Sequence, residues 1–258
     1  MNYPTNLDGL RWEKKGKAGY VIFDRPPMNT ISFEERAQIA ALIDTMDKDP
    51  AVRVIVIRGA NNVYSSGGDI AGFLTVPRDQ MHDLAWNVAA PERAKKPVIA
   101  AIEKWAMGVA FELSLACDFR IATENAQVAL PEITLGMIPG SGGTHRIVHL
   151  VGLTRAKAMI MRGRRLPARE AYDWGILTEV VPDGQLDQAI ERWVIELSAL
   201  PQIQLTSLKR VLNSAYEMPL SIGLQFEGQT FEKLRPSPEF KHGVEAFLQK
   251  KKPDFSQF

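Results

Sequence analysis

The chain has one cysteine, Cys117, among 258 residues. No internal disulfide can form, and a reducing compartment is the expected setting. Charge of one sign is also missing: the formal net charge is +1, which offers neither a basic surface for nucleic acid nor an acidic tail. An anionic ligand must therefore be held by local donors. No apolar run approaches membrane-spanning length. The start, MNYPTNLDGLRWEKKGK, has no apolar core of the kind found in a secretory signal. The four histidines, His82, His145, His149 and His242, lack metal-ligand spacing. These absences predict a cytoplasmic protein with no nucleic-acid partner, no membrane partner and no bound metal.

What is present is ordinary for a globular enzyme: 45% hydrophobic and 24% charged residues, in a chain long enough to bury a sizeable core. AGYVIF (18–23) reads as a strand ended by Asp24-Arg25-Pro26-Pro27. Ser32 and Glu35 fit a capping box, followed by helical spacing of Ala37, Ala40, Ala41 and Ile43. VRVIVI (52–57) is a buried strand, then comes the polar loop Tyr64 to Asp69, and a helix is expected over 80–94. VIAAIEKWAM (98–107) reads as one further buried strand, with a helix from about Val109 to Cys117. Short strands are expected at 119–122 and 127–130, and helices at 153–161 and 167–174. Strands alternating with helices predict an α/β fold with mostly parallel strands. After Leu186 only helices are expected: 186–199, 202–214, 219–233 and 238–250. Pro201 marks a boundary between an α/β core (1–200) and a helical C-terminal region (201–258).

Two segments place a carboxylate in apolar company. Glu112 lies in a stretch of Ala, Phe, Leu, Ser and Cys, and Glu132 lies in LPEITLGMIPGSGGT. A helical glutamate is ordinarily exposed, and a buried one is costly unless it is paired, hydrated or functional. The helix that carries Glu112 starts just after a strand, so its first N–H groups have no intrahelical partner and suit a developing oxyanion. Gly67 and Gly68 let a ligand approach the backbone closely, although a tight turn alone explains such a pair. Cys117 reads as a buried structural thiol, Asp69 and Asp118 as loop-fixing groups, and Trp86 and Trp105 as core or pocket wall.

SSGGDI, KWAMGVAFELSLACDFRIA and LPEITLGMIPGSGGTHRI resemble, in order and spacing, the three signatures of the crotonase (enoyl-CoA hydratase/isomerase) superfamily. FDRPPMNTIS and GVEAFLQKKKPDF resemble that family's landmarks near each end, so the likeness spans nearly the whole chain. It implies a crotonase-like spiral of repeated ββα units with a C-terminal helical oligomerisation region. The implied activity is addition of water across the 2,3 double bond of a 2-enoyl-CoA thioester, as in fatty acid β-oxidation.

The resemblance also implies roles. Gly68 and Val109 match the backbone donors of the oxyanion hole, and Glu112 and Glu132 match the acid/base pair. Ser66, Gly67, Asp69 and Ile70 fall in the substrate-binding loop. Phe247 and Lys250 match positions that a neighbouring subunit offers to the coenzyme A nucleotide, although helix packing and a solvated basic end explain them equally well. No cofactor is implied, since coenzyme A is part of the substrate, and self-association as a trimer or dimer of trimers is expected. The sequence departs from the family pattern where Val109 and Ala110 replace glycines, Gly68 replaces alanine, Phe111 precedes Glu112, and Pro27 stands where many relatives are basic. These departures bear on acyl-chain preference. An alternative within the family is a double-bond isomerase, which relies on the acid at Glu132 alone; a hydratase of a cyclic acyl-CoA is another.

Overall fold

The computed structural model describes residues 3–77 and 83–258. His82 and the first part of the helix expected over 80–94 lie in the segment outside those residues.

The chain opens with an antiparallel pair, β1 (Leu10–Lys15) and β2 (Ala18–Phe23). β1 escapes pattern recognition because it is an edge strand whose outward residues are charged. After β2 comes α1 (Phe33–Lys48), whose capping box joins Ser32 and Glu35 as expected. Its buried stripe is Arg36, Ile39, Leu42, Ile43 and Met46 rather than the alanines, of which Ala37 and Ala41 are exposed. β3 (Val54–Gly59), β4 (Val98–Ile102), β6 (Phe119–Thr123) and β9 (Glu179–Val181) extend the sheet in parallel, giving the order β1-β2-β3-β4-β6-β9.

A second, small sheet holds β5 (Trp105–Met107), β7 (Gln127–Ala129) and β8 (Leu166–Pro167). The run from 98 to 107 is thus two strands in two sheets, not one. Polar Glu103 and Lys104 sit at the break, where Lys104 takes a φ of 61°. α4 (Val109–Leu115) follows β5, and α5 (Gly143–Ile160) follows β7 after a 3-10 turn at Glu132–Leu135. Gly152, at φ 76°, breaks α5; the half after it matches the helix expected at 153–161. A strand in the large sheet, a strand in the small one and then a helix therefore recur, which is the expected ββα repeat.

Alternate residues of the parallel strands feed two cores, as the pleat requires. Val21, Phe23, Ile55, Ile57, Ala100 and Ile102 pack on one face with α1 and α4. Tyr20, Ile22, Val54, Val56, Ile99 and Ile121 pack on the other with Leu186, Ile190 and Val194 of α7 (Leu186–Ser198). The short helices α2 (Leu84–Val88) and α3 (Ala90–Arg93) replace the single helix expected there. Trp86 is 63% exposed, with the Arg93 guanidinium 3.8 Å above its ring, so it is not a core residue. α6 (Ala168–Asp173) precedes β9. Cys117 is buried and its thiol donates to Leu113 O at 3.4 Å; burial pushes its pKa up to about 12.

Beyond Pro201 lie α8 (Gln202–Ser214), α9 (Leu220–Leu234) and α10 (Pro238–Leu248). α8 is tied to the core by Lys209, which is buried and donates to Pro91 O (2.7 Å), Lys96 O (3.1 Å) and the Asp118 carboxylate (2.7 Å). Asp118 also accepts from Val98 N–H at 2.7 Å, so this carboxylate joins α8 to the first residue of β4. Replacing Lys209 by Met leaves Asp118 as a buried charge without its cation. The expected cost is about 3 kcal/mol, measurable as a lower urea midpoint at unchanged slope.

Candidate functional site

The site forms where the small sheet turns into α4. Ser65 and Ala106 form a parallel bridge: Ser65 N–H donates to Trp105 O (2.8 Å) and Met107 N–H donates to Ser65 O (3.2 Å). This pairing lays the Gly67–Gly68 segment against Met107–Val109. The fit is close, because a Cβ on Gly67 would stand 2.8 Å from Met107 O. Gly67 also has φ 107°, a conformation that favours glycine.

On its other side the loop is held by Ile31. Ile31 N–H donates to Gly67 O (2.9 Å) and Asp69 N–H donates to Ile31 O (3.0 Å). In a parallel bridge of this kind the central residue turns its own N–H away from its partner. That residue is Gly68, and its amide is left unpaired among the described residues. Val109 N–H, the first of α4, is likewise unpaired there. A Cβ on Gly68 would lie 3.7 Å from Val109 Cγ1, so the two residues are immediate neighbours. Asn29 anchors the same region from behind: its Nδ2 donates to Ala60 O (3.0 Å) and Val63 O (2.6 Å), and its Oδ1 accepts from Arg25 N–H (3.1 Å).

Both glutamates reach this turn. Glu112, one helical turn after Gly108, is 2% exposed. Its Oε1 accepts from Ser141 N–H (2.8 Å) and Gly143 N–H (2.9 Å). Burial raises its pKa, while those two amides, Arg36 and Arg146 pull it back. Arg146 braces the loop that supplies the amides, donating to Ser141 O at 2.9 Å and pairing with Glu92. Glu132 lies against the turn as well, its Oε1 3.2 Å from where a Cβ on Gly108 would stand. Its Oε2 is buried with no hydrogen-bond partner. Burial first, and the Glu112 charge in addition, push its pKa up to about 7. The two carboxyls interact, each charge disfavouring ionisation of the other.

Among the other residues singled out from sequence, Ser66 is half-buried and its N–H donates to Met28 O (2.9 Å). Asp69 is exposed and accepts from Ala71 N–H (3.2 Å), fixing its own loop, and Ile70 is exposed. Phe247 and Lys250 stand apart: Phe247 is exposed on α10, and Lys250 follows that helix with its N–H bonded to Phe247 O. Sequence reasoning passed over Arg36, Ser141, Gly143 and Arg146. For Arg36 a signal existed: it occupies the same helical stripe as Ile39, Ile43 and Met46. The two amides that hold Glu112 belong to a loop packed on it from 29 and 31 residues away and leave no side-chain signal.

A profile described as "Enoyl-CoA hydratase/isomerase" matches residues 13–258. The chain belongs to this family. The mitochondrial enoyl-CoA hydratase of Pongo abelii is 30% identical, covering 97% of this chain and 89% of the relative. A crystal structure of enoyl-CoA hydratase from Bacillus anthracis superposes with a TM-score of 0.91 at 28% identity, over 97% of this chain and all (100%) of the other. An enoyl-CoA hydratase subunit I from Geobacillus kaustophilus HTA426 gives 0.94 at 32% identity, over 98% and 100% of the two chains. The fold is therefore that of the crotonases, and the chain is an enzyme of the enoyl-CoA hydratase kind. No helix among the described residues is long and apolar enough to cross a membrane.

The raised pKa of Glu132 has a consequence for stability. Its unfolded-state value is 4.5 and its folded value about 7. Between these the folded chain keeps a proton that the unfolded chain has lost, so this contribution is complete below 4.5 and disappears as pH rises through 7. Urea midpoints measured from about pH 5 to about pH 8 should fall more steeply in the wild type than in Glu132→Gln.

Proposed function

We propose that the two unpaired amides, Gly68 and Val109, hold the thioester oxygen of a 2-enoyl-CoA while Glu112 and Glu132 handle the proton and the water. Glu112 is the base: its carboxylate takes a proton from water as the water oxygen bonds to C3. The π electrons move toward the carbonyl and charge gathers on the thioester oxygen, where the two N–H groups stabilise it. A donor of this type contributes about 3–4 kcal/mol to the transition state. Glu132, protonated below about pH 7, gives its proton to C2 and restores the thioester. The sum is addition of one water; the proton then rests on Glu112 instead of Glu132, and its exchange through water resets the pair for the next turnover. The thioester serves as electron sink and no cofactor is invoked.

The observation that carries this reading is that both carboxyls lie at the Gly108–Val109 turn in unequal surroundings. One accepts two backbone N–H bonds, and the other holds a buried, unpartnered oxygen beside the turn. Retention of both glutamates supports hydration over double-bond isomerisation, for which one acid suffices. The loop Ser66, Gly67, Asp69 and Ile70 borders the acyl group. Phe247 and Lys250 are assigned to a neighbouring subunit's nucleotide site, in a trimer or dimer of trimers formed through the helical region 201–258. Support comes from apolar side chains on those helices that lie open in the single chain: Leu220 (77% exposed), Phe247 (79%) and Leu248 (75%). A cytoplasmic role in fatty acid β-oxidation agrees with the near-neutral charge and single cysteine.

Glu132→Gln should lower kcat by about 10²–10⁴-fold with little change in KM, because the proton is transferred only in the transition state. A 2-enoyl thioester and its 3-enoyl isomer assayed side by side test the reaction type. Water addition to the 2-enoyl compound is expected; consumption of the 3-enoyl compound alone, without hydration, overturns the reading.

A further inference from the structure

Arg36 is a charged group in a place where a charge is expensive. It is 4% exposed, and its Nε is buried with no hydrogen-bond partner. Among the described residues the guanidinium forms no ion pair and no hydrogen bond; the Glu112 charge acts on it without contact, since the bonds to Glu112 Oε1 come from Ser141 and Gly143. Burial lowers its pKa, but a guanidinium starts so far above neutrality that it remains protonated at neutral pH. Removing one partner from a buried charge pair is among the costliest changes a protein core meets. An arginine buried this way, with no hydrogen bond or ion pair among the described residues, is therefore poised to receive an anion.

The position of the guanidinium shows which anion. A terminal nitrogen lies 3.5 Å from where a Cβ on Gly68 would stand, on the same side as Phe73 (3.4 Å) and Val109 Cγ1 (3.7 Å). Its central carbon sits 4.6 Å from the centroid of Phe33, which meets Phe73 edge-on at 4.9 Å. The aromatic pair, Val109 and Gly68 thus surround the cation at the edge of the thioester site. The phosphates of coenzyme A lie at the far end of the pantetheine arm from the thioester, so a ligand anion that joins Glu112 in facing Arg36 belongs to the acyl half. A carboxylate fits, because the planar fork of arginine matches its two oxygens.

We infer that Arg36 is a specificity residue that recognises a carboxylate on the acyl portion, so that the substrate is a 2-enoyl-CoA derived from a dicarboxylic acid. This rests on the hydratase reading above and narrows it. The aromatic and aliphatic walls strengthen the pairing by excluding water, and the cost of keeping the cation dry is offset only when the anionic acyl group is bound.

The test compares 2-enoyl-CoA substrates ending in a carboxylate with carboxamide analogues of equal length, over a short series of chain lengths. At one length the wild type should favour the carboxylate in kcat/KM by at least about tenfold, equivalent to about 1.4 kcal/mol. Arg36→Gln should bring that ratio close to one, and Arg36→Lys should restore part of it. Equal use of both series by the wild type at every length overturns the proposal. So does a preference that survives in Arg36→Gln, or a variant that loses the same factor on both series, which would make Arg36 a general electrostatic or structural group. If Arg36→Gln does not fold, calorimetry on the wild type with saturated acyl-CoA analogues replaces it: tighter binding of the carboxylate than of the carboxamide supports the proposal, and equal affinities overturn it. Failure of all enoyl thioesters to be hydrated would count against the reaction assignment. Hydration of neutral chains without carboxylate preference, together with equal analogue binding, would count against Arg36 alone.

Discussion

The parallel bridge between Ser65 and Ala106 is the contact on which the site depends. It holds a glycine loop from one ββα unit against the strand-to-helix turn of the next, so that two amides left over by the pairing rules stand side by side. Neither amide is prepared by a side chain. Gly68 is free because Ile31 bonds to the residues on either side of it, and Val109 because it is the first residue of a helix. Donors fixed this way need no reorganisation when charge develops, which makes preorganised backbone dipoles effective in a dry site.

The two glutamates are tuned by unequal surroundings. Glu112 is the more deeply buried, yet Ser141 and Gly143 N–H groups and two arginines favour its ionised form. Glu132 is held protonated to about pH 7 by burial first, with one oxygen unpartnered, and by the neighbouring Glu112 charge in addition. We assign two like groups opposite tasks on this difference: amide donors hold one carboxylate, and the other has an oxygen without a partner. The lining extends the same logic to selection. Phe33, Phe73 and Val109 supply an apolar surface, and Arg36 adds a fixed charge to it.

Much of this was legible in the sequence where local chemistry decides structure. The capping box at Ser32, the buried β-branched run of β3 and the helices after Pro201 fall where residue type predicts them. The glutamates and glycines of the site were legible as motifs. Other features were settled by long-range packing. A single apolar run from Val98 to Met107 carries no sign that its halves belong to different sheets, apart from the two polar residues at the break. β1 is an edge strand with charged outward residues, so hydrophobic pattern alone passes over it. Arg36 drew no reading from the sequence, and the stripe that buries Ile39 and Ile43 carries it inward as well. Of the two readings of Trp86, core or pocket wall, the second fits: the ring is exposed beneath Arg93 and lines a cavity with His149 and Lys209.

The account turns on amide hydrogens meeting one carbonyl oxygen. Vibrational spectroscopy of an acyl-CoA labelled with carbon-13 at its thioester carbonyl reports that contact without turnover. Binding should move the labelled carbonyl stretch to lower frequency than in water, because two preorganised donors polarise the bond more than solvent does. A stretch at or above its solution frequency would mean that Gly68 and Val109 do not hold the oxygen.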